Sequence, residues 1–322
     1  MCEGMTRPIA AATLMLMLAS PGLAQDFNAD ALSSSSIPGL PGISGFAPPK
    51  QQGTLARVGA FPLILQAKLT EDGSEVTRGM TWRVFRPDPG PDGKLPLIAS
   101  SQGGSATFEL SPGSYLIHAA FGRAGATKRI TLAKGGTSEI VVLDAGGLEL
   151  NAVGPGGSKV HADKLRFSIY EAKQDANGDR PLIAKDVESN TVVRLNAGMY
   201  HIVSTYGAIN AVVRSDIRVE AGKLTEATVE HSAAEITLKL VRESGGEALA
   251  DTSWSILTES GDSVTEKVGP YASMVLATGN YTVIAKNREQ IYQRNISVEG
   301  GKDAELEVLA NEQSQIDPGG GD

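Results

Sequence analysis

One six-residue phrase occurs three times along this chain: Leu110-Ser-Pro-Gly-Ser-Tyr115, Leu195-Asn-Ala-Gly-Met-Tyr200 and Leu276-Ala-Thr-Gly-Asn-Tyr281. The tyrosines Tyr115, Tyr200 and Tyr281 are separated by 85 and 81 residues. A period of that length specifies a tandem array of small domains in place of one large enzyme fold. Other landmarks keep the same order. Trp82, Phe167 and Trp254 follow one another at 85 and 87 residues, and Pro96-Leu-Ile-Ala99 returns as Pro181-Leu-Ile-Ala184. A glycine turn, at Gly135-Gly136, Gly222 and Gly301, precedes a last apolar run in each unit. The third unit lacks the Pro-Leu-Ile-Ala element and is the most diverged.

Within a unit the pattern is that of short strands. In the first, apolar runs over 63–69, 81–86, 95–99, 106–110, 115–121, 128–132 and 139–143 are divided by turn residues such as Asp72-Gly73, Asp92-Gly93 and Pro112-Gly113. Short strands at this spacing predict an antiparallel sandwich, and no dozen residues beyond the N-terminal segment show helical periodicity. The expected fold is therefore all-β: three tandem antiparallel β-sandwiches, Ig-like or prealbumin-like, over residues 61–146, 147–234 and 235–310. Within the phrase, the glycine makes the turn and the tyrosine opens a strand whose alternate residues share one face. A tyrosine entering a sandwich beside a turn is suited to donate its hydroxyl to nearby backbone, as in a tyrosine corner. Trp82, Phe167 and Trp254 read as one core position, the alternative being exposed sugar-stacking platforms.

The ends of the chain speak to location. Residues 1–24 have the pattern of a secretory signal: Arg7, an apolar stretch over 9–19 too short to span a bilayer, and Gly22-Leu23-Ala24 before a cut ahead of Gln25. Residues 25–60, with Ser33–Ser36 and prolines 38, 41, 48 and 49, are expected to be a disordered linker, and 311–322 a disordered tail. The sole cysteine, Cys2, lies inside the signal segment, so no disulfide or thiolate metal site is expected in the exported chain. The net charge is −8, with 29 basic and 37 acidic residues and no basic stripe. That balance disfavours nucleic acid and anionic lipid as partners. The expected location is exported, periplasmic or cell-envelope associated, with no transmembrane span after the signal.

Chemistry is sparse. His118, His161, His201 and His231 occupy different repeat positions and show no metal-binding spacing. There is no Gly-x-Ser-x-Gly elbow, and Gly154-Pro-Gly-Gly-Ser-Lys159 departs from the phosphate-loop pattern, so it reads as a turn. The sharpest candidate is a calcium loop, Asp175, Asn177 and Asp179, with Asp186 at the twelfth place. Arg180 stands where an EF-hand needs glycine, and the competing reading is a solvated hairpin loop. No catalytic residue, cofactor or metal is assigned.

The Leu-x-Pro-Gly-x-Tyr phrase, followed by a hairpin and a further strand, resembles repeats of bacterial cell-envelope sandwich domains, namely the carboxypeptidase-regulatory-like, prealbumin-like and PEGA families. The resemblance spans residues 61–310, and the second and third copies lack the proline. It implies a sandwich fold and an extracytoplasmic accessory role, and carries over no functional residue. The expected function is a non-catalytic interaction or structural protein whose partner is an envelope protein or a cell-wall glycan. The alternatives are a carbohydrate- or peptidoglycan-binding protein and, third, an enzyme with an unrecognised site. The loops at 87–94, 172–180 and 259–263 vary most between units and are the expected binding surfaces.

Overall fold

The structure, a computed structural model, describes residues 59–311 and 313–316. The signal expected over 1–24 and the linker expected over 25–60, up to residue 58, lie outside the described residues.

The strands recur with a period of seven. The first set is β1 (Phe61–Lys68), β2 (Met80–Phe85), β3 (Leu97–Gly103), β4 (Ala106–Leu110), β5 (Gly113–Phe121), β6 (Ala124–Leu132) and β7 (Thr137–Val142). The second is β8 (Ala145–Val153), β9 (Leu165–Glu171), β10 (Leu182–Val187), β11 (Val192–Asn196), β12 (Gly198–Tyr206), β13 (Val212–Val219) and β14 (Leu224–Glu230). The third is β15 (Ala233–Val241), β16 (Thr252–Thr258), β17 (Ser263–Val268), β18 (Tyr271–Ala277), β19 (Gly279–Asn287), β20 (Gln290–Val298) and β21 (Ala304–Leu309), followed by β22 (Gln315–Ile316).

Each set builds the same two layers. A three-stranded sheet runs β4-β1-β7, β11-β8-β14 or β18-β15-β21. A four-stranded sheet runs β3-β2-β5-β6 or β10-β9-β12-β13, and its third copy, β17-β16-β19-β20, gains β22 at one edge. Tandem all-β sandwiches are thus what the chain forms. One parallel pair per unit is added to the antiparallel pattern. β7 lies parallel to β1 from Leu63↔Thr137 to Lys68↔Val142, and β8 with β14 and β15 with β21 do the same. The last strand of each unit reaches the first by crossing from the other sheet, the kind of connection a parallel pair requires.

Strand periodicity creates the cores. In β4, Ala106, Phe108 and Leu110 point inward while Thr107 and Glu109 face out. Trp82, Phe167 and Trp254 are each fully buried, every one in its own unit's core. Each such aromatic contributes on the order of 1.5–3 kcal/mol by leaving water. The indole N–H groups stay satisfied, since Trp82 donates to the Gly104 carbonyl at 2.7 Å and Trp254 to that of Gly269 at 2.9 Å. The three tyrosines make one bond three times: their hydroxyls donate to the carbonyls of Ser111, Asn196 and Ala277, four residues upstream, at 2.7, 2.7 and 2.8 Å.

Within the stretch from 311, one short strand is described. Gln315 and Ile316 pair with Tyr292 and Ile291 and lengthen the third four-stranded sheet. An edge strand leaves a row of unpaired backbone groups, and this short segment covers part of it.

Candidate functional site

The loop at 172–180 closes on itself. The Asp175 carboxylate accepts the backbone N–H of Asn177 at 2.8 Å and of Asp179 at 3.0 Å, while the Asp175 N–H donates to the Asp179 carbonyl. This is an Asx-type hairpin turn, in which the oxygen that would lead a calcium shell already caps the backbone. Asp186 stands on β10, beside Lys185 at 3.8 Å. The Asp175 carboxylate is thus engaged within its own turn, while Asp186 belongs to the strand that follows. The loops at 87–94 and 259–263 are satisfied in the same way, through Asp92 to the Lys94 N–H and through Thr258 to the Asp262 N–H.

The histidines divide by environment. His118 is buried on β5, its Nδ1 meeting no hydrogen-bond partner among the described residues, and burial pushes its pKa down to about 4, helped by the Arg83 charge. His231 is buried too. Its Nε2 lies 2.7 Å from the Ser204 hydroxyl and its ring meets Tyr206 edge-on at 5.9 Å, while burial lowers its pKa. His201 lies 2.6 Å from Asp216, its cross-strand partner.

The most built-up features of the molecule are the two places where one unit meets the next. The linkers between them are two residues long, Leu143-Asp144 and His231-Ser232. At each junction the hairpin turn between the fifth and sixth strands of one unit docks on the fourth strand of the next. At the first, the Arg123 N–H donates to the Arg194 carbonyl at 3.0 Å, and the Arg194 guanidinium lies 4.4 Å over the Phe121 ring. Asn196 then reaches back, donating to the Gly125 and Leu143 carbonyls and accepting the Gly125 N–H. At the second, Asn210 of the hairpin reaches forward, accepting the Ala277 N–H at 3.0 Å and donating to the Tyr281 hydroxyl at 2.9 Å. An asparagine thus bridges both junctions, once from each side. Val275 of β18 enters the second unit's core beside Ala211 and Tyr206.

A polar cluster stands at the second junction. His161 and Lys164 come from the connection between β8 and β9, Glu235 from β15, and Asp303 from the turn before β21. The His161 Nε2 lies 3.3 Å from Asp303 Oδ2 and 3.7 Å from Glu235 Oε2. Asp303 Oδ1 accepts the Glu235 backbone N–H at 2.7 Å, and Glu235 Oε1 accepts from the Lys164 ammonium. That bond holds the Lys164 pKa above its ordinary range. The backbone N–H of His161 in turn donates to the Tyr206 hydroxyl at 3.3 Å. One donor atom from each of His161, Glu235 and Asp303 lies within 4.8 Å of the others. Sequence reasoning treated His161 as isolated, because its partners are 74 and 142 residues away. The usable signal was repeat register: Glu235 occupies the place of Gly147, and Asp303 that of Leu224.

Comparison with known proteins bears on the third unit. Residues 235–310 match the model of a Rhizobiales growth-associated tandem repeat domain. Among curated proteins no match was found. Of solved structures, the Bacillus anthracis TIE protein aligns at 19% identity and TM-score 0.22, covering 78% of this chain and 50% of that one. The chain thus spans half the length of that protein. A minor pilin of Streptococcus agalactiae aligns at 16% identity and TM-score 0.30, over 53% of this chain and 95% of the pilin. A streptococcal ancillary pilin aligns at 10% identity and TM-score 0.27, over 79% of this chain and 99% of that one.

Proposed function

We propose that this chain is a non-catalytic, exported interaction or structural protein of the cell envelope, carrying three sandwich repeats at 61–146, 147–234 and 235–310. A signal over 1–24 and a linker over 25–60 would precede them. The observation that carries this reading is the junction made twice by the same elements, a hairpin turn on the following unit's fourth strand across a two-residue linker. Stacked repeats hold their relative placement through nearest-neighbour interfaces and present several sheet edges to a partner. The described edge strands β3, β10 and β17 are such surfaces. The match of residues 235–310 to a growth-associated tandem repeat supports a role connected with growth. The glycan-binding alternative rested on exposed aromatic platforms, and the burial of Trp82, Phe167 and Trp254 speaks against those. Among the described residues no helix is long and apolar enough to cross a membrane.

The test is site-specific photocrosslinking from the exposed side chains of Lys185 and Arg214 in intact cells, combined with fractionation. A discrete, position-dependent adduct with an envelope protein is expected. Residence of the chain in the cytoplasm, or absence of any position-dependent adduct, sinks the reading.

A further inference from the structure

We propose that His161, Glu235 and Asp303 bind a divalent transition ion of the zinc type, which clamps the second unit to the third. The donor set is one imidazole nitrogen and two carboxylate oxygens, suited to zinc, manganese, cobalt or nickel. It is too poor in oxygens for calcium, which takes six to eight. The spacing fits as well. Donors about 2.0–2.2 Å from a tetrahedral ion stand roughly 3.3–3.6 Å from each other. The two distances from His161 Nε2, 3.3 Å to Asp303 and 3.7 Å to Glu235, fall on or beside that edge length.

The surrounding bonds orient the set. Each carboxylate has one oxygen tied down, Asp303 by the Glu235 N–H and Glu235 by Lys164, and turns the other toward His161. Such outer contacts are how protein sites aim their ligands. The charges are not required by the fold. Glu235 and Asp303 stand side by side where β15 and β21 begin to pair, since the next residues, Ile236 and Ala304, are register partners. Like charges opposed across strands are destabilising. The second unit fills the same two places with Gly147 and Leu224, which are register partners, and forms the same sheet. Lys164 offsets one of the two negative charges, and a dication bound at the open oxygens more than offsets the other. The ligands belong to different units, so ion binding adds a tie across the His231-Ser232 linker.

Zinc titrated into the metal-stripped full chain, in competition with a chromophoric chelator, tests this. One equivalent is expected to bind, at least tenfold more weakly in His161→Ala and in Asp303→Asn. His201→Ala, which alters a second histidine–carboxylate pair away from the cluster, is expected to bind as the unmodified chain does. Asp303→Asn keeps an oxygen for the Glu235 N–H, and unfolding midpoints in chelator check that each variant folds. Cobalt in place of zinc should give tetrahedral visible absorption that Asp303→Asn loses, and millimolar calcium should not displace either ion. The proposal is overturned if no equivalent binds, if folded variants bind as tightly as the parent, or if calcium competes.

Discussion

The hydroxyl of Tyr281 both donates to the Ala277 carbonyl and accepts from the Asn210 amide, whereas that of Tyr115 donates to Ser111 within its own unit. Removing one partner of a hydrogen bond costs more when the other is left unsatisfied. Tyr115→Phe is therefore expected to cost about 1 kcal/mol, and Tyr281→Phe about 2 kcal/mol, because the Asn210 amide at the junction loses its acceptor. Urea unfolding resolves the two, and equal costs would contradict the bridging role. His118 offers a pH test. Its pKa is about 4 in the folded chain against an ordinary 6.5, because burial and the Arg83 charge oppose protonation. Above pH 6.5 both states are neutral and stability is full. As pH falls from 6.5 to 4 the unfolded chain takes up a proton that the folded chain refuses, and stability is lost by up to about 3 kcal/mol. Unfolding midpoints across that window should fall, and the fall should be smaller in His118→Gln; identical slopes would refute the assignment. The sequence placed His118 on a strand, but its burial depends on what packs over the outer face of β5.

At the scale of elements, the junction hairpins rest on glycine. Gly122 and Gly207 adopt φ of +65° and +72°, and a Cβ at either would stand 3.0 Å from Arg194 Cβ or 2.7 Å from Val275 Cβ. A left-handed conformation costs a residue with a side chain about 1–2 kcal/mol, before any steric clash. Gly207→Ala should accordingly destabilise by roughly 2–3 kcal/mol, the excess over the backbone cost coming from contact with Val275. Gly93→Ala, at φ +72° with open space around it, should show the backbone cost alone. Chemical denaturation of the two variants checks this, and equal costs would mean that the hairpin is not held against β18. The strands and turns were largely legible, because alternation and turn residues are local properties; β4 was expected and found at 106–110. The role of the loop at 172–180 was not, since whether Asp175 faces a cation or caps its own turn depends on the path the backbone takes.

For the whole molecule, the consequence of the junctions is coupling. Val275 belongs to the third unit by sequence and to the second unit's core by packing. Val275→Ala is expected to cost about 2 kcal/mol, and native-state hydrogen exchange should show it in the amides of β9 and β12 as well as those of β18. Faster exchange confined to β18 would show that the units are energetically separate. Stability in a repeat array is a sum of unit and interface terms, so this measurement isolates one interface.

The sequence alone determined that the chain is all-β, that one unit is written three times, which turn and tyrosine mark each copy, and that Trp82, Phe167 and Trp254 share one repeat position. These follow from period, alternation and turn chemistry, which the chain carries within a few residues of each site. The tertiary structure decided that the last strand of every unit runs parallel to its first, that Val275 fills a neighbour's core, and that His161 meets Glu235 and Asp303. Those contacts join residues far apart in the chain, the parallel pairs within a unit and the other two across a linker of two residues. No local pattern encodes them, because the packing of sheet on sheet and of unit on unit sets which side chains face one another.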